Sequence, residues 1–273
     1  MKFLISMLLF FSIYFSAQTQ RFIYEYQFKS DSTAENFEKA NMVLDINPEE
    51  VKFYDYEYAE NDSLNKMRDF KNYIWNETPA IIRKKNSSEN MNFELLEDYF
   101  KYPSQDEMTW KLTTETKKVN QYNLQKATSD FGGRKWTAWF NTEIPLNEGP
   151  YKFRGLPGLI FEVSDAQNQF IFKLIKSYKL NSTYSTADFL ELQMDRKPLL
   201  VDMKTLNKVK MNYYNDPFQE IRKNFVYNPN EKIQLMGTRI TSKEQITEAT
   251  KRYQKYIRDN NNKIERDKAL HYK

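Results

Sequence analysis

Residues 21–29 read RFIYEYQFK, and this stretch decides the fold. Aromatic side chains stand at every second position from Phe22 to Phe28, while smaller or polar residues such as Ile23 and Glu25 stand between them. A period of two with one aromatic face is typical of a β-strand that packs against a core. The stretch therefore predicts a sheet whose aromatic face is buried.

The same pattern returns further along the chain. Residues 51–58, VKFYDYEY, alternate again, and the short apolar run 41–46 ends in a turn at Asn47-Pro48. Residues 59–72 are polar and fit either a surface loop or a short helix. Further strands are predicted at 80–84, 91–102, 108–114, 123–129, 134–140, 159–164 and 170–178, which gives about ten strands within residues 21–180.

We therefore expect a mainly β (β-rich α+β) fold. Its centre is a strongly curved antiparallel sheet or half-open barrel of about ten strands, with a C-terminal helical segment. A closed barrel and a two-sheet sandwich are the alternatives. Long aromatic strands with helices to one side are similar to the half-open barrels of periplasmic lipoprotein carriers, but a similarity of fold carries little information about function.

The last third of the chain has helical patterns. A short helix is predicted over 186–193 and another over 202–214, and Asp216-Pro217 is a good helix start. Ser242 and Gln245 form a capping box that opens a helix running to about Leu270. The expected organisation is a signal peptide at 1–18, a β-rich domain at 19–182 and a helical C-terminal extension at 183–273 packed on it.

The first 18 residues, MKFLISMLLFFSIYFSAQ, have the layout of a secretory signal peptide. Lys2 is followed by an apolar run and then by the small-residue site Ser16-Ala17-Gln18. The alternative is an N-terminal membrane anchor, but a run of about 13 residues is short for the ~20 that span a bilayer. We expect an exported protein of the periplasm or extracellular space that is soluble after cleavage, without a membrane span.

Composition narrows the possible chemistry. The chain has no cysteine and one histidine, His271. This excludes disulfides and thiolate nucleophiles and argues against histidine-based metal sites and Ser-His pairs. The 41 basic and 37 acidic residues give a net charge of +4, too small for a basic nucleic-acid footprint. We expect no metal, no cofactor, no nucleic-acid partner and no identifiable catalytic residue.

Glycine is concentrated in one region, because five of the six glycines lie within residues 132–158. Gly132-Gly133 fits a two-residue hairpin turn, and Leu156-Pro157-Gly158 fits a type II turn. On the structural interpretation, this region is a hairpin followed by an ordered loop. On the functional interpretation, the loop contacts a ligand or partner from a rigid β scaffold.

Residues 155–160 spell GLPGLI, and ordered elements precede them: FGGRKWTAWF at 131–140, EIP at 143–145 and GPYKF at 149–153. This arrangement closely resembles the GLPGLI family of exported proteins from Bacteroidetes-type bacteria, most strongly over residues 120–165. The signal peptide, the early aromatic strands and the polar helical end agree with it in layout. The resemblance implies no established biochemical activity.

The residues predicted to bind a ligand or partner surround this segment. They are arginines, aromatic residues and the segment's first four residues: Arg134, Trp136, Trp139, Tyr151, Phe153, Arg154, Gly155, Leu156, Pro157 and Gly158. Arginine forks suit carboxylates of a ligand or peptide, or an internal pair with Glu143 or Glu148. Trp136 and Trp139 lie three apart, so on a strand one can be core while the other is a contact residue.

Three functions are compatible with these observations. The preferred one is a non-enzymatic periplasmic or envelope binding or accessory protein whose partner is an envelope protein or a peptide. The second is a carrier of a lipid-like or apolar ligand in the concave sheet, which needs an apolar cavity of about 300–1,000 Å³. The third and least favoured is a carboxylate-based hydrolase, which needs a buried carboxylate pair.

Overall fold

A computed structural model describes residues 18–68 and 70–273, so the predicted signal peptide lies outside the described residues apart from Gln18. The protein is mainly β, as predicted, and its centre is a large curved sheet that does not close. The strands of this sheet are β1 (Thr19–Phe28), β2 (Glu38–Ile46), β3 (Glu50–Asp55), β4 (Ala80–Lys84), β5 (Glu89–Leu95), β6 (Tyr99–Gln105), β7 (Lys111–Val119), β8 (Tyr122–Phe131), β9 (Arg134–Asn141), β10 (Leu159–Asp165), β11 (Phe170–Leu180) and β12 (Leu199–Leu200).

The strand order is β12-β6-β5-β4-β3-β2-β1-β11-β10-β9-β8-β7, so the chain order is broken only where β11 returns beside β1 and where β12 joins β6. Neighbouring strands are antiparallel, except that β12 runs parallel to β6. The first strand thus lies in the middle of the sheet, where it pairs with β2 on one side and β11 on the other. This central position explains why residues on both of its faces are buried, Tyr24 on one face and Arg21 and Ile23 on the other.

Each face of the sheet has its own core. The face that carries Tyr24, here called the inner face, holds the largest buried cluster, which includes Phe22, Tyr26 and the loop residue Phe153. The opposite, outer face carries Ile23 in a second cluster, which is covered by α1 (Tyr56–Lys66) and by the segment around Phe189 and Leu190. The sheet is therefore covered on one side by the loop between β9 and β10 and on the other by α1.

The helical end consists of α2 (Met203–Asn215), α3 (Gln219–Asn224), the short hairpin β13 (Gln234–Leu235) and β14 (Thr238–Arg239), and α4 (Lys243–Asp259). A small third core joins the hairpin to α4 through Leu235, Ile240 and Ile246. A single 3₁₀ turn follows at Arg266–Lys268. Among the described residues, no helix is both long and apolar enough to cross a membrane.

The capping box predicted at Ser242 and Gln245 is present, but the helix it opens ends at Asp259 and not near Leu270. Asparagine side chains follow the helix, and they bond to the main chain instead of continuing it. Asn260 donates to the carbonyl of Tyr256 at 2.9 Å, and Asn262 donates to that of Lys29 at 2.6 Å. Such side-chain bonds compete with helical hydrogen bonds, which is why the helix stops there.

Four other element predictions differ from the structure. The helix start predicted at Asp216-Pro217 lies at Gln219, with Phe218 as the N-cap. The strand predicted over 51–58 ends at Asp55, because its carboxylate accepts a hydrogen bond from the Glu57 amide at 3.0 Å and caps α1. Residues 91–102 form two strands because the chain turns where the Leu96 amide bonds to the Asp98 carbonyl. The predicted helix at 186–193 is a series of turns.

Candidate functional site

The loop between β9 and β10 fills the inner face of the sheet with its own side chains. Tyr151, Phe153 and Leu156 are all buried in the inner core. The ring of Phe153 lies 4.5 Å from that of Trp136 and 6.2 Å from that of Phe172, measured between centroids. These predicted site residues are therefore core residues, and only Gly155 and Pro157 of the first four in the GLPGLI segment are exposed.

The two glycines of the GLPGLI segment have different reasons to be glycine. The type II turn expected at Leu156-Pro157-Gly158 would need a positive φ at Gly158, and this prediction is wrong, because the positive φ, +93°, belongs to Gly155. Gly158 instead allows a close approach, since a Cβ there would stand 2.0 Å from the main-chain oxygen of Asn141. The segment is also tied to β1, where the Tyr24 hydroxyl donates to the Ile160 carbonyl at 2.6 Å.

The turn at Gly132-Gly133 joins β8 to β9, and both residues have positive φ, +62° and +71°, as the predicted two-residue hairpin requires. This turn also supports residues 260–273, here called the tail. A Cβ on Gly132 would stand 2.9 Å from the Cα of Glu265, so the tail lies directly on the turn. The amide of Arg266 donates to the Gly132 carbonyl at 2.6 Å.

Arg134 holds the tail with two of the three nitrogens of its guanidinium group. Its Nε donates to the carbonyl of Ile264 at 3.1 Å, and its Nη2 donates to that of Lys263 at 2.8 Å. Its Nη1 donates to Asp165 at 3.2 Å, in a pair whose side chains are almost fully buried. Burial lowers the pKa of Arg134, as does the charge of Arg266. The Arg134 guanidinium, which was expected to receive a carboxylate from a ligand, therefore binds main-chain carbonyls of the tail and the Asp165 carboxylate of this chain.

A buried ionic cluster, here called the lysine cluster, fixes the next residues of the tail. The Nζ of Lys152 lies 2.5 Å from Glu265 and 3.1 Å from Asp106. The Tyr151 hydroxyl also donates to Glu265, and Lys268 reaches Asp106 at 3.0 Å. Lys152, Asp106 and Glu265 were not predicted as site residues. The one sequence signal for them is a lysine inside the otherwise apolar GPYKF stretch.

The lysine cluster places two buried carboxylates together, which is the feature that a hydrolase would need. Burial opposes the charge on Asp106, but the charges of Lys152 and Lys268 and a hydrogen bond from Ser104 outweigh it, so its pKa is lowered. A general acid requires the opposite shift, toward neutral pH. Asp106 is therefore suited to be an ionic anchor, which binds Lys152 and also Lys268 of the tail.

A second ionic cluster attaches the loop to β4. The guanidinium of Arg83 contacts Glu148, whose other oxygen lies 3.8 Å from Nε of Arg154. The pair of Arg154 with Glu148 is one of the arginine–glutamate pairs expected from the sequence. Arg154 also donates to the Ser87 carbonyl at 2.8 Å. Burial and the charge of Arg154 lower the pKa of Arg83 to about 9.

The two tryptophans of β9 point to opposite faces, as their spacing predicts. Trp136 is 1% exposed in the inner core, and its indole nitrogen donates to the Phe131 carbonyl at 2.9 Å. Trp139 is half-buried under Lys117, whose Nζ lies 4.6 Å from the ring centroid. Trp139 is therefore the member of the pair that solvent can reach.

Two surface cavities lie among the described residues. One, of about 160 Å³, lies between α1 and residues 71–74 and 188–193. The other, of about 230 Å³, lies beside Gly133, Arg134 and Arg266, next to the tail. Both are smaller than the ~300 Å³ at which pockets for small organic ligands begin.

Residues 132–162 match a family model described as a protein of unknown function (Porph_ging). No curated protein matches the chain. Two solved structures of PNGF-II, in space groups P21 and C2, resemble it with a TM-score of 0.50 each, at 16% and 15% identity. They cover 70% and 73% of this chain but only 33% and 34% of PNGF-II, so the chain spans about a third of that protein's length. Similarity at this level of identity concerns the fold alone.

Proposed function

We propose that this protein is a non-enzymatic binding or accessory protein of the GLPGLI family. It is exported to the periplasm or extracellular space and acts there on an envelope protein or peptide. The observation that carries the proposal is the way Arg134, Tyr151 and Lys152 hold the tail. They contact main-chain carbonyls and one acidic side chain of an irregular segment more than a hundred positions away, which is how a protein binds a peptide.

Two further observations favour a binding function over the alternatives. Asp106 and Glu265 are ion-paired with lysines, and the lowered pKa of Asp106 suits an anchor better than a proton donor. The inner face, where an apolar ligand would lie, is occupied by Tyr151, Phe153 and Leu156. In addition, the same fold makes up about a third of the PNGF-II chain, so this architecture also occurs as one part of a larger protein.

The test is native mass spectrometry of the mature protein after mild crosslinking and isolation from the envelope fraction of its own host. A stoichiometric complex with a protein or peptide is the expected result. A retained small apolar mass would favour the carrier function instead. Free chain alone, after crosslinking that captures other envelope complexes in the same sample, would contradict the proposal.

A further inference from the structure

We infer that the surface under the tail is a peptide-recognition groove that selects an asparagine, any residue, an aliphatic residue and a glutamate in sequence. This inference rests on the proposed function and specifies its partner. In the structure the groove is filled in cis by Asn262-Lys263-Ile264-Glu265, and its partner is a peptide of another protein with the same chemistry. The groove is lined by residues 29–30, 132–134 and 151–152.

The groove recognises the main chain of its occupant at four points between Asn262 and Arg266. The Asn262 amide donates to the Ser30 carbonyl at 2.9 Å. Arg134 donates to the carbonyls of the next two residues, and the amide after Glu265 donates to the Gly132 carbonyl at 2.6 Å. Main-chain contacts of this kind fix the register of a peptide whatever its sequence, while side-chain subsites supply the selectivity.

Three side chains of the occupant enter such subsites. Ile264 is 7% exposed and packs in the inner core, and Glu265 is held by the lysine cluster. Asn262 uses both ends of its amide, because its Nδ2 donates to the Lys29 carbonyl and its Oδ1 accepts from Arg134. Lys263 and Arg266 are exposed, so the groove does not select at those positions.

The glycines of the hairpin turn make the groove deep enough for a main chain. A side chain on Gly132 would meet the Cα of Glu265, and one on Gly133 would come within 3.2 Å of the Asp267 amide nitrogen. The main chain of the occupant therefore packs directly against the main chain of the turn, and glycine makes this close approach possible. Residues 260–265 form no helix or strand of their own, so their order depends on these contacts.

A partner peptide must compete with the tail, which is present in cis. The tail follows α4 directly, and even a short flexible connection would give an effective concentration in the millimolar range. A partner peptide therefore displaces the tail only if it binds tightly or is present at a high local concentration. Weakening the tail without changing the groove removes this competition and exposes the recognition directly.

The test uses the full chain with Ile264→Ala and Glu265→Gln combined. Both substitutions lie in the tail and leave the groove residues unchanged. The probe is a fluorescently labelled synthetic peptide of residues 260–273, NNNKIERDKALHYK. We expect the amides of 262–268 to exchange hydrogen at least about tenfold faster in the variant. We also expect the variant to bind the probe saturably, on the order of a hundredfold more tightly than the wild-type chain, whose groove is filled.

Two matched controls define the specificity. A peptide that carries the same two substitutions should bind the variant at least about tenfold more weakly. Adding Tyr151→Phe to the variant removes one hydroxyl from the groove and should lower the affinity for the wild-type peptide about tenfold. Glu265→Gln alone, which is isosteric, gives the same test if the double variant does not fold.

Three results would overturn the inference. They are the absence of saturable binding by a variant with a released tail, equal binding of the two peptides, and tail amides that stay protected in the variant. Each would leave the proposed function standing, since an envelope partner can bind elsewhere on the molecule. Conversely, peptide binding without any envelope partner would support the groove and contradict the proposed function.

Discussion

Replacing Gly158 with alanine tests whether the GLPGLI segment depends on the close approach of two main chains. The new Cβ would stand 2.0 Å from the main-chain oxygen of Asn141 and 2.9 Å from the Cα of Thr142. Overpacking a core costs about 1–3 kcal/mol and sometimes more. Because backbone atoms at the end of β9 cannot rotate away as a side chain can, we expect the free energy of unfolding to fall by about 3 kcal/mol or more.

Gly155→Ala is the matched control, since it makes the same substitution in the same segment. Its φ of +93° is unfavourable for alanine, but no atom lies within 4 Å of the new Cβ. A left-handed conformation costs about 1–2 kcal/mol for an L-residue. Urea denaturation with an unchanged m-value measures both losses. A loss in Gly158→Ala equal to or smaller than that in Gly155→Ala would refute the close-approach argument.

Three further predictions concern β9, the loop and the tail. Trp136→Ala should cost about 3–5 kcal/mol in urea denaturation. Trp139→Ala should cost clearly less, because Trp139 is only half-buried and one side of its ring faces Lys117; equal losses would contradict this difference in burial. Tyr24→Phe removes the bond to the Ile160 carbonyl and should cost about 1 kcal/mol, with faster amide exchange across 155–160 and unchanged exchange in β5. The pKa of Asp106 is lowered from its ordinary value of 3.8 in the folded protein. The ionised carboxylate therefore stabilises the fold at pH values above 3.8, and this stabilisation is lost as the pH falls from 3.8 through the lowered pKa. The raised pKa of Lys268 contributes stability that is lost as pH rises above 10.5. The tail should therefore resist limited proteolysis between these limits and lose protection outside them, and protection that is independent of pH would contradict the ionic anchoring.

The sequence predicted the sheet because the period-two pattern is a local property of each strand. Residues 21–29 alternate strictly, and they form the central strand. The break in 91–102 was missed, because the turn at residues 96–98 contains neither glycine nor proline. The end of α4 was also missed, because it depends on asparagine side chains that bond to distant carbonyls such as that of Lys29.

The candidate site was predicted only in part, for a related reason. Glycine, arginine and aromatic residues mark the region around 132–158 in the sequence, and the structure places Arg134 and Tyr151 at the groove. Their partners in the tail, residues 262–264 for Arg134 and Glu265 for Tyr151, are separated from them by more than a hundred residues, in a stretch whose pattern predicted a helix. No local period relates such a pair, since their contact is decided by how the tail returns across the sheet.

The positions of the glycines separate the structural role of the GLPGLI segment from the binding role of its surroundings. Gly158 permits contact with β9, while Leu156 fills the core, so these residues face the interior of the same chain. Gly132 permits contact with the tail, which is a separate segment of the chain. If the protein binds a partner through this region, the contact therefore involves the hairpin turn and the lysine cluster. The GLPGLI segment stabilises that surface indirectly. The hydrogen bond from Tyr24 to the Ile160 carbonyl and the buried side chain of Leu156 fix the loop that carries Tyr151 and Lys152.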